Sequence, residues 1–508
     1  MRRGTVVGGS GRGAATVKTG AATRGRARSG VVERESGAAK RGGAARQAEL
    51  SLTDSERDAD RASRSLFSQP GHLVHRSALP NGLRVITVPQ AHLHTASVAV
   101  FVKVGARHES ARDSGLSHLL EHMLFRGCAR YPSAYLLNRE IEELGGTLHG
   151  ATHTDSTLFE VSLPPANVER SIAILGELFA RPSFAELAVE KRIVREEILE
   201  YLDEGGREVD PDNLSRQLIF GTHPLGSTIT GGLHNLERFA EADLRNHMRR
   251  YYVANNMVLC VAGAVDEHTV SRAALRHLGG LPSGVIVPAL PAHPAADEGG
   301  LHCVDSPGPQ TDVRLSFSTF GARDPRYLAL ELLVRVLDDG MSTRLHRRIC
   351  EELGLAYEVF ATLEPYEECG VLDVGAAVEH SKVPVFMRNA LRLLAELADR
   401  PVSKHELDKA KRRYQWQLEA ILDDAQAMCA HYGQRALLGQ EGHLGALRQQ
   451  VQSTTAAQLR AVAREILQRP RLHAVTVGAL SRGQREQVKR ALSALGPAAS
   501  TRRRHARS

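Results

Sequence analysis

Two stretches of the chain share one pattern at a separation of a whole domain. Residues 258–282 and 472–497 each begin with an apolar run that ends in Gly-Ala, and each continues as an amphipathic helix that stops at a Gly-Pro-type turn. Gly263 and Gly478, at the ends of the two predicted strands, are 215 positions apart, which is the size of one domain. The repeat therefore predicts two similar α+β halves, and 508 residues are enough for two full-sized cores.

A proline-rich stretch separates the two predicted halves. Residues 285–300, VIVPALPAHPAADEGG, contain three prolines and follow neither a helical nor a strand period, so we interpret them as a linker. The predicted domains are accordingly residues 75–284 and residues 301–495. Apolar periodicity predicts the following elements in the first domain: strands at 82–90, 95–107, 147–156 and 157–165, and helices at 166–181 and 184–204.

The two ends of the chain differ in composition from its middle. Residues 1–70 are rich in Gly, Ala, Arg and Ser and poor in large apolar side chains, so we predict a disordered basic extension. Residues 496–508 are predicted to be a basic tail. Because these ends concentrate the formal net charge of +7, the folded middle is closer to neutral, and we expect no specific nucleic-acid partner. Two alternatives stay open for the extension, namely an organelle targeting sequence and an arginine-rich tail that binds nucleic acid.

Cysteine usage and hydropathy bear on the compartment. The six cysteines show no paired spacing and no CxxC, which argues against a disulfide framework or a thiolate zinc site and favours a reducing compartment. No run of 18 apolar residues predicts a membrane span, so we expect no membrane partner. The arginine- and alanine-rich composition is typical of a GC-rich bacterial gene. We therefore predict the bacterial cytoplasm, with the mitochondrial matrix as the alternative.

The segment SHLLEHMLF, residues 117–125, places three ionisable groups in an otherwise apolar run. On a helix, His118, Glu121 and His122 share one face, while the leucines between them lie on another. Two imidazoles at positions i and i+4 can hold zinc, and the intervening glutamate can act as a general base on water. This order of residues, HxxEH, is the inverted zincin signature. The alternative is a helix with two surface histidines beside an acid.

A catalytic zinc site usually needs a third protein ligand. The predicted helix VEKRIVREEILEYLDE, residues 189–204, offers four glutamates as candidates: Glu190, Glu196, Glu197 and Glu200. Glu190 and Glu197 are two helical turns apart on one face, whereas Glu196 points about 100° away. One of that pair could ligate while the other supports it, but spacing alone does not choose among the four.

Several motifs, in one order, resemble the inverzincin metallopeptidases of the pitrilysin, insulin-degrading enzyme and mitochondrial processing peptidase group. The resemblance covers residues 75 to 490. It rests on GLSHLLEHMLFRG (115–127), IEELGGTLHGATHTDSTLFE (141–160), VEKRIVREEILEYLDE (189–204), LIFGTHPLGSTITG (218–231), YYVANNMVLCVAGAV (251–265) and GMSTRLHRRICEELGLAYEVF (340–360). It implies an α+β fold of two homologous mixed α/β-sandwich domains of the processing-peptidase type, which form half of a clamshell chamber.

The resemblance also implies roles for particular residues. Carried over by position, the family's zinc ligands are His118, His122 and Glu197, with one Zn2+ per chain as the cofactor. Glu121 is the base that activates water, and Glu190 matches an acid that supports the metal site from outside the ligand set. The implied reaction is zinc-assisted peptide hydrolysis without a covalent intermediate.

In the family an extended peptide is bound by adding itself to an edge strand near the zinc helix. The matching stretch is residues 148–157, where this chain has His149-Gly150 instead of the Asn-Ala that relatives commonly carry. The side-chain contact of that asparagine is therefore in question. We interpret His149 as a strand residue beside the cleft.

The second domain departs further from the family pattern. Relatives pair an arginine with a tyrosine seven residues later, and both reach the substrate. The tyrosine is present as Tyr357, which we predict to bind substrate, but the arginine position holds Cys350. Arg347 or Arg348 could substitute, a partner subunit could contribute, or catalysis could be weakened, because a thiol lacks the fixed charge and forked donors of a guanidinium.

These residues predict a zinc-dependent endopeptidase that hydrolyses peptides or unstructured protein segments. The expected partners are a peptide or unfolded polypeptide substrate and a second subunit, in a homodimer or in a heterodimer with a related chain. The alternative function is that of a catalytically weak or silent subunit that serves as a binding or scaffold partner of a related active subunit.

Overall fold

The structure is a computed structural model that describes residues 74–292, 294, 299–440 and 444–495. The predicted basic extension at 1–70 and basic tail at 496–508 lie outside the described residues. Within the described part of the predicted linker, residues 285–292, 294, 299 and 300 belong to no helix or strand.

The first half is built on a six-stranded sheet whose order is β1-β2-β6-β3-β5-β4. Its strands are β1 (His75–Ala78), β2 (Arg84–Pro89), β3 (Ala96–Val102), β4 (Thr147–Thr152), β5 (Thr157–Leu163) and β6 (Met257–Gly263). All pairings are antiparallel except that of β2 with β6. Strands β3 and β6 lie in the middle and are buried along their whole length, which explains their unbroken apolar sequences. Strand β4 forms one edge of the sheet.

The first half also contains eight helices in its described residues. They are α1 (Leu116–Leu124), α2 (Ala134–Glu143), α3 (Val168–Ala180), α4 (Leu187–Leu199), α5 (Pro211–Phe220), α6 (Leu233–Arg238), α7 (Glu241–Tyr251) and α8 (Glu267–Leu278). All of them except α5 contribute to the first core. Helices α3 and α8 pack together, α3 on strand β3 and α8 on strand β2. Helix α1 packs against α4, α7 and the edge strand β4, so the HxxEH segment lies at the edge of the sheet.

The second half repeats this plan with a five-stranded sheet of order β7-β11-β8-β10-β9. Its strands are β7 (Leu301–Val304), β8 (Thr311–Phe320), β9 (Phe360–Pro365), β10 (Cys369–Val378) and β11 (Leu472–Val477). Its helices are α9 (Tyr327–Leu337), α10 (Val383–Asp399), α11 (Lys404–Ala420), α12 (Ala425–Leu437), α13 (Leu444–Ser453), α14 (Ala456–Ile466) and α15 (Arg482–Ala491), with a π-helix at His346–Glu352.

The two repeated stretches occupy equivalent places in the two sheets. Strand β6 lies between a parallel neighbour, β2, and an antiparallel neighbour, β3, and strand β11 lies in the same way between β7 and β8. A glycine with positive φ ends strand β6, at Gly263 (+126°), and directly follows strand β11, at Gly478 (+155°). A helix with a side-chain N-cap follows in both, Asp266 before α8 and Ser481 before α15. The predicted fold class, two similar mixed α/β halves, is confirmed.

Each half has one helix that packs on the sheet of the other half. Helix α12, from the second half, packs on strands β3 and β6, where Gly433 lies so close to the Phe101 ring that a Cβ would approach it to 2.2 Å. Helix α5, from the first half, packs on strands β8 and β11, with Leu214 against Val475 and Val477. These exchanged helices join the two halves, because each sheet is covered on one face by a helix of the other half.

Element boundaries differ from the predictions where local polar contacts end an element. The helix predicted at 184–204 is shorter, Leu187–Leu199, because the Asp203 carboxylate accepts the backbone N–H groups of Gly205 and Arg207 in a turn. The strand predicted to reach residue 107 ends at Val102, since a 3-10 turn occupies Ala106–His108.

The described cysteines are all free thiols. In the described part of the chain, no helix has the length and apolar character needed to span a bilayer.

Buried charges cross the boundary between the halves at helix α5. The guanidinium of Arg216 lies 2.6 Å from the Asp373 carboxylate of β10, and its Nε donates to Glu364 of β9 at 2.8 Å. Arg216 and Asp373 are largely excluded from solvent, with side-chain exposures of 13% and 4%. Removing one partner of such a pair leaves the other charge buried without compensation.

We therefore predict that Arg216→Met lowers the free energy of unfolding by about 3–5 kcal/mol. The matched control is Arg181→Met, which removes an exposed i,i+4 pair with Glu177 and should cost less than about 1 kcal/mol. Urea denaturation followed by circular dichroism measures both. Equal losses in the two variants would contradict the role given to Arg216.

Candidate metal centre

Helix α1 separates an apolar face from an ionisable one. Leu119, Leu120, Met123 and Leu124 are completely buried in the first core. The opposite face carries His118, Glu121 and His122, of which the first two are also buried, at 6% and 8% exposure. Ligand atoms of these three side chains lie within 4.8 Å of one another. The spacing predicted from the sequence is thus present in three dimensions.

Helix α4 brings a fourth side chain to this face. The Oε1 atom of Glu197 lies 3.5 Å from His118 Nε2, and its Oε2 atom lies 3.7 Å from His122 Nε2. The neighbouring candidates on this helix, Glu196 and Glu200, are both exposed. Of the four glutamates that the sequence left open, Glu197 is the one that faces both Nε2 atoms.

These separations suit a shared metal ion better than direct hydrogen bonds. A tetrahedral ion about 2.0–2.1 Å from each ligand atom holds those atoms roughly 3.4 Å apart. The observed 3.5 and 3.7 Å are close to that value, whereas an N–H···O hydrogen bond is usually 2.7–3.2 Å long. Two imidazoles and a carboxylate are also a donor set that zinc accepts. The residues present therefore fit a tetrahedral zinc ion.

Glu190 lies on the same face of helix α4 as Glu197, and it orients the imidazole of His122. Its Oε1 lies 2.8 Å from His122 Nδ1, and its Oε2 accepts from Arg126 Nε. A proton on Nδ1, donated to Glu190, leaves the lone pair of Nε2 free to face Glu197. Burial opposes ionisation of Glu190, but the hydrogen bonds from His122 and Arg126 outweigh it and lower its pKa. Arg126 had no role in the sequence prediction, and its proximity arises only from the packing of α1 on α4.

The cluster carries an excess of negative charge, which favours the binding of a divalent cation. Glu121, Glu190 and Glu197 supply three carboxylates, and Arg126 supplies one positive charge. Burial opposes protonation of His122, but its hydrogen bond to Glu190 and the three carboxylates outweigh this effect and raise its pKa. The imidazoles are metal ligands only when neutral. With neutral imidazoles, an ion of charge +2 offsets the excess of negative charge in the cluster.

Glu121 lies between the histidines and the edge strand β4. Burial raises its pKa, although His122 and His118 act in the opposite direction. The hydroxyl of Thr152, on β4, donates to Glu121 Oε2 at 3.4 Å. A buried carboxylate with a raised pKa is suited to accept and return a proton.

Gly150 on β4 has a steric role that the sequence did not reveal. A Cβ at this position would approach the Glu121 carboxylate and the Phe125 ring to 2.4 Å. The absence of a side chain therefore leaves the room that Glu121 and Phe125 occupy. His149 directly precedes Gly150, so its side chain lies on the other face of the strand. It pairs across the sheet with Glu160.

The predicted residues of the second half are exposed or make contacts within that half. The side chain of Tyr357 is 98% exposed. Arg347 and Arg348, considered as substitutes for the family arginine, both donate to the carboxylate of Glu352. Cys350 belongs to the π-helix, is partly buried against the second core, and has a pKa raised by burial. Substrate binding by Tyr357 stays a prediction.

Two family models match successive parts of the chain. Residues 84–231 match the family described as Insulinase (Peptidase family M16), and residues 238–414 match the one described as Peptidase M16 inactive domain. The chain therefore belongs to peptidase family M16, as a two-domain member of the bacterial type. The resemblance to the pitrilysin group inferred from the motifs is confirmed.

Individual relatives agree with this assignment. An uncharacterized zinc protease of Mycobacterium bovis is 28% identical over 407 residues, which are 78% of this chain and 91% of the relative. An uncharacterized zinc protease of Streptomyces coelicolor is 26% identical over 412 residues, 79% of this chain and 89% of the relative. Both relatives are bacterial proteins.

Two solved structures share the fold at 20% identity. The crystal structure of a protease from Helicobacter pylori superposes with a TM-score of 0.74 and covers 80% of this chain and 100% of its own. The peptidase M16 inactive domain from Pseudomonas fluorescens has a TM-score of 0.72 and covers 80% and 98%. At this identity, the likeness concerns the fold alone.

We predict that Glu190→Gln weakens zinc binding roughly 10- to 100-fold, because the amide keeps the shape of the side chain but loses the charge that orients His122 and pairs with Arg126. Competition with a chromophoric chelator measures the dissociation constant. The control, Glu196→Gln on the exposed face of the same helix, should bind zinc as the wild type does. An unchanged affinity in Glu190→Gln would show that the contact with His122 is incidental.

Proposed function

We propose that this chain is a zinc-dependent endopeptidase that hydrolyses peptides or unstructured protein segments. The observation that carries the proposal is the convergence of His118, His122 and Glu197, with Glu121 beside them and next to an edge strand. Membership of peptidase family M16, whose relatives here are named zinc proteases, supports the same conclusion.

The ligand set consists of His118, His122 and Glu197, and it would hold one Zn2+ per chain. When bound, the ion supplies Lewis-acid chemistry, which polarises a scissile carbonyl and lowers the pKa of water. Glu190 holds the proton on His122 Nδ1, so that Nε2 remains available as a ligand atom.

Glu121 moves the proton in this scheme. Its carboxylate takes a proton from the attacking water and then delivers it to the leaving amine nitrogen. The raised pKa of Glu121, caused by burial, suits a group that must hold a proton between the two steps. Because water attacks the carbonyl directly, the scheme needs no covalent intermediate on the protein.

Strand β4 is the expected docking edge for the substrate. It lies at the border of the first sheet, and its Thr152 contacts Glu121. An extended peptide that pairs with the free main-chain groups of β4 would run alongside the catalytic carboxylate. Main-chain pairing accepts many sequences, which agrees with a peptide or unfolded polypeptide as the substrate.

The proposal includes a dimer, formed with a second copy or with a related subunit, that would close a chamber around the substrate. It also includes the bacterial cytoplasm as the compartment, which the bacterial relatives and the free thiols support.

A second candidate function is that of a catalytically weak or silent subunit that binds substrate for an active partner. Cys350 in place of the family arginine favours it. Stoichiometric zinc without turnover, in the presence of a substrate cleaved by other members of the family, would support this candidate over the first.

We predict that Glu121→Gln lowers turnover of an unfolded polypeptide by roughly 10²- to 10⁴-fold, because the amide cannot accept the proton, while zinc content stays at one per chain. Casein cleavage, followed by gel and by mass spectrometry, together with metal analysis, measures both quantities. Glu200→Gln, an exposed glutamate at the end of helix α4, is the control and should retain wild-type turnover. Turnover that survives Glu121→Gln would remove Glu121 from the reaction.

A further inference from the structure

The start of helix α1 is buried, and its own residues do not cap it. The N-cap position is Gly115, which has φ +95° and no side chain. Backbone N–H groups in the first turn of a helix have no partner within the helix and cost free energy if they are buried alone. A cap for this helix must therefore come from elsewhere in the chain.

Glu109 supplies that cap from outside the helix. Its Oε2 accepts the N–H of Gly115 at 2.8 Å, and its Oε1 accepts the N–H of Ser117 at 2.5 Å. The negative charge also lies at the positive end of the helix dipole. Glu109 is only 4% exposed, and burial raises its pKa to about 7, although the hydrogen bonds from Ser117 and Gly115 act in the opposite direction. A carboxylate kept in so unfavourable a place indicates a specific role for its two hydrogen bonds.

Ser117 is held at a second point. Its hydroxyl lies 3.0 Å from His247 Nε2, on helix α7, and both side chains are buried. Burial lowers the pKa of His247 to about 3, so the imidazole is neutral and bonds to the hydroxyl without bringing a charge. The residue directly before His118 is thus fixed through its backbone by Glu109 and through its side chain by α7.

The surrounding loop leaves the helix start no room to move. A Cβ on Gly115 would lie 2.5 Å from the carbonyl oxygen of Thr230, so the two backbones are in direct contact. The amide of Asn235 donates to the carbonyl oxygens of Ala111 and Ser114, in the segment between Glu109 and the helix. The buried carboxyl group of Glu109 lies at the centre of this anchored region.

We propose that Glu109 is a positioning residue for the metal centre. Glu109 fixes the first turn of α1, where His118 directly follows Ser117 and His122 lies one turn further on. It thereby sets the positions of both histidines relative to Glu197. This inference rests on the proposed function, since it concerns the affinity of that centre for zinc. It assigns to Glu109 an effect on metal binding that is separable from its contribution to stability.

The test compares Glu109→Gln with a partly buried carboxylate that also accepts a hydrogen bond, Glu331→Gln. In Glu109→Gln the amide oxygen still accepts one N–H, but the amide nitrogen faces the other as a donor. Glu331, in the second half, accepts the hydroxyl of Tyr414 at 3.1 Å, and burial raises its pKa too. Zinc dissociation constants come from chelator competition on the full chain, and unfolding free energies come from urea denaturation. We expect zinc binding about 10-fold weaker in Glu109→Gln and unchanged in Glu331→Gln, although both variants lose stability.

Equal zinc affinity in wild type and Glu109→Gln overturns the inference and leaves the proposed function intact. Failure of the wild type itself to bind zinc overturns the proposed function, and this inference with it. Should Glu109→Gln not fold, Glu109→Asp decides the question, because it keeps the charge on a side chain one methylene shorter: zinc binding weaker than in the wild type supports the inference, and wild-type zinc affinity overturns it.

Discussion

The structure of the site depends on a local excess of negative charge. Three carboxylates, Glu121, Glu190 and Glu197, meet two imidazoles in a partly buried space where one guanidinium, that of Arg126, is the nearby positive charge. Such a cluster is costly to bury unless a cation compensates it. A divalent ion does so while leaving both imidazoles neutral and able to ligate. The apolar face of α1 is completely buried in the first core, which gives the ligands a rigid base.

That rigid base is made by both halves of the chain. Helix α12 of the second half closes one face of the first sheet, and helix α5 of the first half closes one face of the second. Gly433 lets α12 approach Phe101 on β3, and Arg216 joins α5 to the charges of the second sheet. Strand β3, in the middle of the first sheet, is therefore held in place by a helix more than 300 positions away along the sequence. In this arrangement the second half has a structural part in the site, because its helix α12 supports the first sheet.

Much of this could be predicted from the sequence, because it depends on local periodicity. The i, i+3, i+4 spacing of α1 and the repeated strand-Gly-helix unit both appeared in the fold as predicted. The choice of Glu197 over Glu196 and Glu200 needed the family resemblance, because one helix offers acids on several faces. The parts played by Arg126, Gly150 and Glu109 could not be predicted, since each acts on a residue that only the packing of α1 brings near. The missing N-cap side chain at Gly115 was the one available signal for Glu109.

The central claim is that two imidazoles of α1 and a carboxylate of α4 bind one zinc ion. Anomalous diffraction recorded on both sides of the zinc absorption edge, from crystals of the full chain grown with zinc, tests it most directly. The account predicts one strong peak per chain within about 2.0–2.2 Å of His118 Nε2, His122 Nε2 and an oxygen of Glu197. The absence of a peak between these three side chains at saturating zinc, or a stronger peak elsewhere in the protein, would contradict it.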